Sequence, residues 1–351
     1  MPSLAMAACH CDLQRPVCGH CSRRKEQCRL PNDEPQQSQS YTRFRCRNFN
    51  CFQCPIHKSL LNGEELLLYN FVSNVSFTLS DRTDYQTVWS LHVPRDGQDH
   101  PHLMHSMLAI SALHLAQTTK ARDYSDERSY VDLAAHNYHQ ALSLLIPNVT
   151  VVTTGNFDAL YASAMLTFLF NIGRLNSSNS ARLPYDIAAL SELGKGVLAV
   201  RLEGAMRHKI KSSQLMREYR PWDSPQPLPD SIDRAIKHIE NLVHSLPESR
   251  KNKDQYIQAT QLLRFTFNAL TQNPEQPAMI FMWLVLVDRR FIELLRAKDT
   301  MALLILGHYG ICAFQIKDKW WAANCGRHIV AAVHDILDDS EAMDMARRCR
   351  A

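Results

Sequence analysis

Glycine is scarce in this chain, at 11 of 351 residues, and the scarcity removes the function classes that depend on it. No G-x-G-x-x-G, no phosphate-binding P-loop and no G-x-S-x-G nucleophile turn occurs, so nucleotide cradles and hydrolase elbows have no sequence support. Long apolar runs are lacking too. The longest, Ala278 to Val287, is ten residues, whereas a helix crossing a bilayer needs about 20. The first nine residues hold no basic n-region and too short an apolar core for a secretory signal. The Asn-x-Ser/Thr sequons at Asn74, Asn148 and Asn176 are therefore expected to be coincidental.

What is present is unevenly distributed. Apolar residues make up 45% and charged residues 21%, the composition of ordinary globular material. Residues 1–58 hold nine Lys and Arg against four Asp and Glu, and the rest of the chain holds 30 against 31. The whole positive excess thus sits in the first sixth of the sequence. Eight of the eleven cysteines lie there as well, at positions 9, 11, 18, 21, 28, 46, 51 and 54. Clustered cysteines without a secretory signal read as metal ligands more readily than as disulfides. A small basic metal module (residues 1–30), a polar linker (31–59, beginning PNDEPQQSQS) and a large body (60–351) is the organisation this suggests.

The body reads as helix after helix. Helical spacing of apolar residues covers Glu64–Leu79, His102–Ala116, Glu127–Leu145, Phe157–Ile172, Tyr185–Leu202, Gln255–Leu270, Met279–Leu295 and Met301–Ile316. Ile232, Ile236, Ile239, Val243 and Leu246 fall on one face, with Asp230 as the expected N-cap. Ile329, Val330, Val333, Ile336 and Leu337 make a last stripe. The one β-branched run, Val149–Thr154, has no alternating partner, and no repeat of fixed period occurs. The expected fold class is all-α, a single large irregular helical domain behind the Cys-rich module.

The informative N-terminal stretch is CDLQRPVCGHCSRRKEQC, spaced Cys11-x6-Cys18-x2-Cys21-x6-Cys28. A C-x-x-C pair lets two thiolates from one turn grip one tetrahedral ion, and zinc suits thiolates at roughly 2.3 Å. Arg23, Arg24 and Lys25 place cations beside the sulfurs, where with Arg15 they can meet DNA phosphates. This stretch resembles the second half of the fungal binuclear zinc cluster, a DNA-binding motif in which six cysteines share two zinc ions. Cys11, Cys18, Cys21 and Cys28 match its third to sixth cysteines. Leu4 and Met1 stand where its first two belong, and Ala5–His10 replaces the basic run that forms its groove-reading helix. The expected module therefore holds one zinc and binds DNA weakly, and the missing half is read as a truncated gene model or an alternative start. A second group, Cys46-x4-Cys51-x2-Cys54-x2-His57, has four soft ligands in twelve residues but is read first as free linker thiols.

Residues 61–171 and 278–338 carry a larger resemblance. VWSLHVPRDGQDHPHLMHSMLAISALHLAQ is similar to the opening of the regulatory domain of fungal sterol uptake control proteins, through Trp89, Val93, Pro94, His100, Pro101, Leu103, Met104, His105, Leu108, Ala109 and Ala112 to Ala116. Tyr138–Leu142, Asn156–Leu160, Ala302–Tyr309 and Lys319–Trp321 fit later helices of that domain. The resemblance implies a nuclear, RNA polymerase II-dependent regulator whose helical domain binds a hydrophobic small molecule. Homodimerisation is common in such proteins, but no sustained heptad follows Cys28. Met279, Phe281, Met282, Trp283, Leu284 and Leu286 are the segment that can line a pocket, with core packing the commoner role for such a stripe. No individual ligand-contact residue stands out. The histidine pairs His102/His105 and His136/His139 lack the glutamates of zinc hydrolases or di-iron bundles, so no enzyme is expected. The alternative is a ligand-sensing or interaction protein without DNA binding, with an enzyme of unknown class a distant third.

Overall fold

The computed structural model describes residues 63–118, 124–175, 180–207, 213, 215, 227–249 and 251–348. Among them the secondary structure is entirely helical, with no strand. Helix α1 (Gly63–Asn70) continues through a wide π turn, Phe71–Val75, into Ser76–Thr78. Its apolar face puts Leu67, Phe71 and Val75 at no more than 1% exposure. Helix α2 (Thr83–Thr87) likewise passes through a π turn, Val88–His92, into the helical turn Val93–Asp96. No helix is expected from the sequence over this segment. The π turn closes with Val93 N–H donating to Val88 O, and Pro94 follows directly as the second residue of the Val93–Asp96 segment.

Helix α3 (Pro101–Thr118) starts on a proline, favoured at a first helical position, and is buried along most of its length, as its apolar surface predicts. It lies against α4 (Tyr124–Asn148) and α5 (Phe157–Leu175). Helix α6 (Leu183–Leu202) returns along α5. Helix α7 (Asp230–His244) buries Ile236, Ile239 and Val243 as its stripe predicts. Asp230 is not its N-cap, however. It is the first helical residue, Pro229 holds the cap position, and no side chain caps the helix. Arg264 on α8 (Lys253–Gln272) clamps α7, donating from Nε and Nη2 to both oxygens of Glu240 and from Nη1 to Asp233. These hydrogen bonds raise its pKa further above the usual guanidinium range.

The single helix expected over Met279–Leu295 is three elements. A 3₁₀ turn, Pro277–Phe281, leads into α9 (Met282–Leu286), and α10 (Arg289–Arg296) begins afresh. The break comes at Val287–Asp288, both extended or at the cap. The Asp288 carboxylate accepts from Arg290 N–H at 2.7 Å and starts a new helix, a local contest that apolar periodicity does not register. Asp299 caps α11 (Thr300–Ala313) in the same way. Helix α12 (Cys325–Arg348) crosses α11 with backbone nearly touching. A Cβ on Gly326 would sit 2.6 Å from the carbonyl of Gly310, so glycine is needed there for close approach.

One continuous core joins these helices, with Trp89, Trp283, Trp321, Tyr256 and Tyr309 as its largest buried side chains. Trp283 stacks on Tyr309 at 4.7 Å and donates its indole N–H to Ala259 O. The two stretches that carry the family pattern meet at Thr78. Trp320 donates to its hydroxyl at 2.9 Å and Trp321 to its carbonyl at 3.2 Å, while Lys319 pairs with Asp81 at 2.7 Å. Asp81 N–H in turn donates to Glu275 O. The segment after α1, the turn after α8 and the loop before α12 are thereby fastened together.

A candidate ligand cavity

Three helical faces with one spacing line an apolar cavity of about 170 Å³. Helix α5 contributes Tyr161, Met165, Phe168 and Leu169. Helix α6 contributes Gly194, Val197, Leu198 and Arg201. The Pro277–Leu286 segment contributes Ala278, Phe281, Met282 and Val285. Each set repeats at i, i+3 or i+4, and i+7, so each is one side of its helix. Leu79, Ser80, Tyr85, Trp89 and Gln276 complete the wall. Phe168 and Phe281 meet edge to face at 5.3 Å, and Phe281 lies 5.8 Å from Trp321.

Gly194 allows the helices to come together here, since a Cβ on it would fall 2.7 Å from Val285 Cγ2 and 3.2 Å from Phe168 Cε2. The polar lining residues are mostly committed elsewhere. Ser80 Oγ accepts from Arg82 N–H and lies 3.5 Å from Glu275 O, and the Ser80 carbonyl accepts from Gln86. Arg201 is the one charged side chain among the lining residues.

Of the segment the sequence marks for a pocket, Phe281 and Met282 line the cavity. Met279, Trp283 and Leu284 are packed into the core instead, and Leu286 is half-buried. Periodicity shows which side of a helix faces inward but not where the packing leaves a void. The wall residues on α5 and α6 carry the same i, i+3/4, i+7 signal, which singles them out only once the helices are paired.

The histidines divide by environment. His102 is buried, its Nδ1 has no hydrogen-bond partner among the described residues, and burial together with His100 lowers its pKa to about 4. His105 Nδ1 lies 2.9 Å from Asn137 Oδ1, and His136 and His139 are exposed. Cys312 and Cys325 are free and buried. Burial pushes the Cys325 thiol up to about 12 and the Cys312 thiol well above its usual value, which suits core packing and not ligation or nucleophilic attack. Among the described residues no cluster of three or more His, Cys, Asp or Glu is placed to hold a metal ion. No single helix among them is long and apolar enough to cross a membrane. The expected metal ligands Cys11, Cys18, Cys21 and Cys28, the phosphate contacts Arg15, Arg23, Arg24 and Lys25, and the group Cys46, Cys51, Cys54 and His57 lie outside the described residues.

No protein-family model matches the chain. Sterol uptake control protein 2 of Saccharomyces cerevisiae is 31% identical over 254 residues, which is 67% of this chain and 26% of the relative. Sterol uptake control protein 2 of Candida albicans is 32% identical over 125 residues, 35% of this chain and 16% of the relative. The chain is a distant homologue of sterol uptake control proteins. It spans about a quarter or less of the length of either relative.

Proposed function

We propose that the chain is a fungal transcription regulator in which the helical body senses a hydrophobic small molecule and the N-terminal module holds zinc and contacts DNA. The apolar cavity between α5, α6 and the Pro277–Leu286 segment carries this reading. Relatives named for the control of sterol uptake point to regulation and not to catalysis. A concave, mostly apolar site is what an effector of low solubility requires. Cys11, Cys18, Cys21 and Cys28 would hold the zinc as thiolates. Arg15, Arg23, Arg24 and Lys25 would supply phosphate contacts, which give affinity without sequence information. Nuclear localisation belongs to the same reading.

Two measurements test it. Residues 60–351 joined to an unrelated DNA-binding domain should give a reporter signal that changes when cellular sterol is depleted. Gly194→Leu, which fills the cavity, should abolish that response, with protein abundance measured alongside so that lost stability is told from lost sensing. A signal indifferent to sterol depletion, with both proteins equally abundant, overturns the sensing role. A second reading, ligand sensing without DNA binding, is favoured by Leu4 and by Ala5–His10, which take the place of a ligand and a basic run. Gel-shift on CGG-containing and scrambled duplexes separates the two. Weak, salt-sensitive binding without sequence preference fits the first, and no binding at low salt the second.

A further inference from the structure

Resting on the reading of the cavity as a ligand site, we infer that the fastening at Thr78 and Asp81 is a ligand-controlled clasp. Occupancy of the cavity holds it closed, and the loop before α12 reports that occupancy. Three segments meet in the clasp. Trp320 and Trp321 donate to the hydroxyl and the carbonyl of Thr78. Lys319 Nζ donates to both carboxylate oxygens of Asp81, at 2.7 and 2.9 Å. Asp81 N–H donates to Glu275 O at 3.1 Å. Each segment adjoins the cavity. Leu79 and Ser80 lie between Thr78 and Asp81, Gln276 follows Glu275, and all three are in the lining. Phe281, also in the lining, lies 5.8 Å from the Trp321 ring. No residue of 317–323 touches the cavity itself.

The two sides of the cavity are held differently. Close packing locks α5 and α6, with Gly194 against Val285 and Phe168. Hydrogen bonds and an ion pair hold the clasp, and the Asp81 side chain is 47% exposed, so water can replace these bonds. Breaking one shifts the balance of open and closed by roughly two- to tenfold. Residues 80–86 form a braced piece that moves together. Arg82 pairs with both oxygens of Asp84 and covers the Tyr85 ring at 4.8 Å, and Gln86 Nε2 donates to Ser80 O at 2.9 Å. When the clasp opens, this piece takes Ser80 and Tyr85 out of the wall. A ligand touching Leu79, Ser80 or Tyr85 therefore gains those contacts only in the closed state, and this differential contact shifts the population towards it. At about 170 Å³ the cavity takes one end of a drug-sized ligand, whose full site is roughly 300–1,000 Å³, and the coupling needs no more than that end. The clasp also borders a second hollow of about 300 Å³, lined in part by Asp81, Pro277, Ile316, Asp318 and Lys319. Closing the clasp thus sets the shape of that surface as well.

Amide hydrogen exchange of the full chain, with and without ergosterol delivered from cyclodextrin, tests this. Binding should slow exchange on α5 and also at 317–323, while the α7–α8 turn, residues 245–252, keeps its rate. Thr78→Val with Asp81→Asn removes the acceptor of Trp320 and weakens the ion pair. By reciprocity this variant should bind ergosterol about threefold or more weakly. At saturating ergosterol it should keep the slowing on α5 and lose the slowing at 317–323, which a merely destabilised fold would not separate. Slowing on α5 without slowing at 317–323 in the wild-type chain, or undiminished slowing there in the variant, overturns the clasp and leaves the ligand site standing. Failure of the wild-type chain to bind ergosterol overturns both. The wild-type exchange pattern decides the matter even if the double variant does not fold.

Discussion

Acidification should destabilise the helical body through His114, and the size of the effect derives from a buried hydrogen-bond network. Asn74 Nδ2 donates to Asn70 Oδ1 at 2.8 Å, which fixes the orientation of the Asn70 amide. Asn70 Nδ2 then points at Ser111 O, at Ser111 Oγ and, at 3.3 Å, at His114 Nδ1. Ser111 Oγ spends its own proton on Leu67 O. His114 Nδ1 therefore faces a donor and must be an acceptor, so the ring is neutral. Its edge contact with Trp320 at 4.8 Å adds to the enclosure. A proton on Nδ1 would set donor against donor beside α1, and burial lowers the His114 pKa from 6.5 to about 4.

A histidine whose folded pKa lies below its unfolded value contributes stability above the unfolded pKa. That stability is lost as pH falls from about 6.5 towards 4, because the unfolded chain binds the proton first. The two pKa values make the loss between pH 7 and pH 5 about 2 kcal/mol for this one group, at 1.36 kcal/mol per pKa unit. Urea denaturation of wild type and His114→Gln at both pH values measures it. The variant should lose about 2 kcal/mol less than wild type on acidification, with His102 responsible for a similar share that both proteins retain. An identical loss in the two proteins would show that the network does not hold His114 neutral.

Three further outcomes are expected. Gly194→Leu should weaken binding of any apolar ligand at least tenfold and cost about 1–3 kcal/mol of stability by overpacking against Val285 and Phe168, measured by calorimetry and denaturation. A fragment of residues 1–60 should contain one zinc per chain by elemental analysis, and Cys18→Ser with Cys21→Ser should lose it; unchanged metal content in that variant would remove the four-cysteine site. Limited proteolysis should cut within residues 31–58 and leave a resistant helical fragment, and cuts scattered through 100–330 under the same conditions would mean that the body does not fold by itself.

Much of the fold is legible in the sequence because helix burial tracks the 3.6-residue period. Ile236, Ile239 and Val243 lie inside as their spacing requires, and α3 is buried as its nearly continuous apolar surface implies. Punctuation is what periodicity misses. Asp288 and Asp299 start helices through side-chain acceptors, and Pro94 hides inside a helical segment behind a π turn. The cavity is legible only in part. The apolar segment marks Phe281 and Met282, but Tyr161, Gly194 and Arg201 gain meaning from pairing α5 with α6, and Leu79 and Trp89 from a distant segment. A void is a property of several faces at once, which no single window of sequence contains.

The fastening at Thr78 also sets an order of events during synthesis. Trp320 and Trp321 bond to a residue made 242 and 243 positions earlier, and Leu79 and Ser80, next to it, belong to the cavity wall. The wall cannot be tied shut until the C-terminal loop has left the ribosome. Contacts of such long sequence separation are late and entropically costly to close. A nascent chain arrested before Trp320 would carry α5 and α6 without the bonds that fasten the wall, so on the proposed ligand-sensing reading any ligand would bind, and stabilise, completed chains in preference to arrested ones.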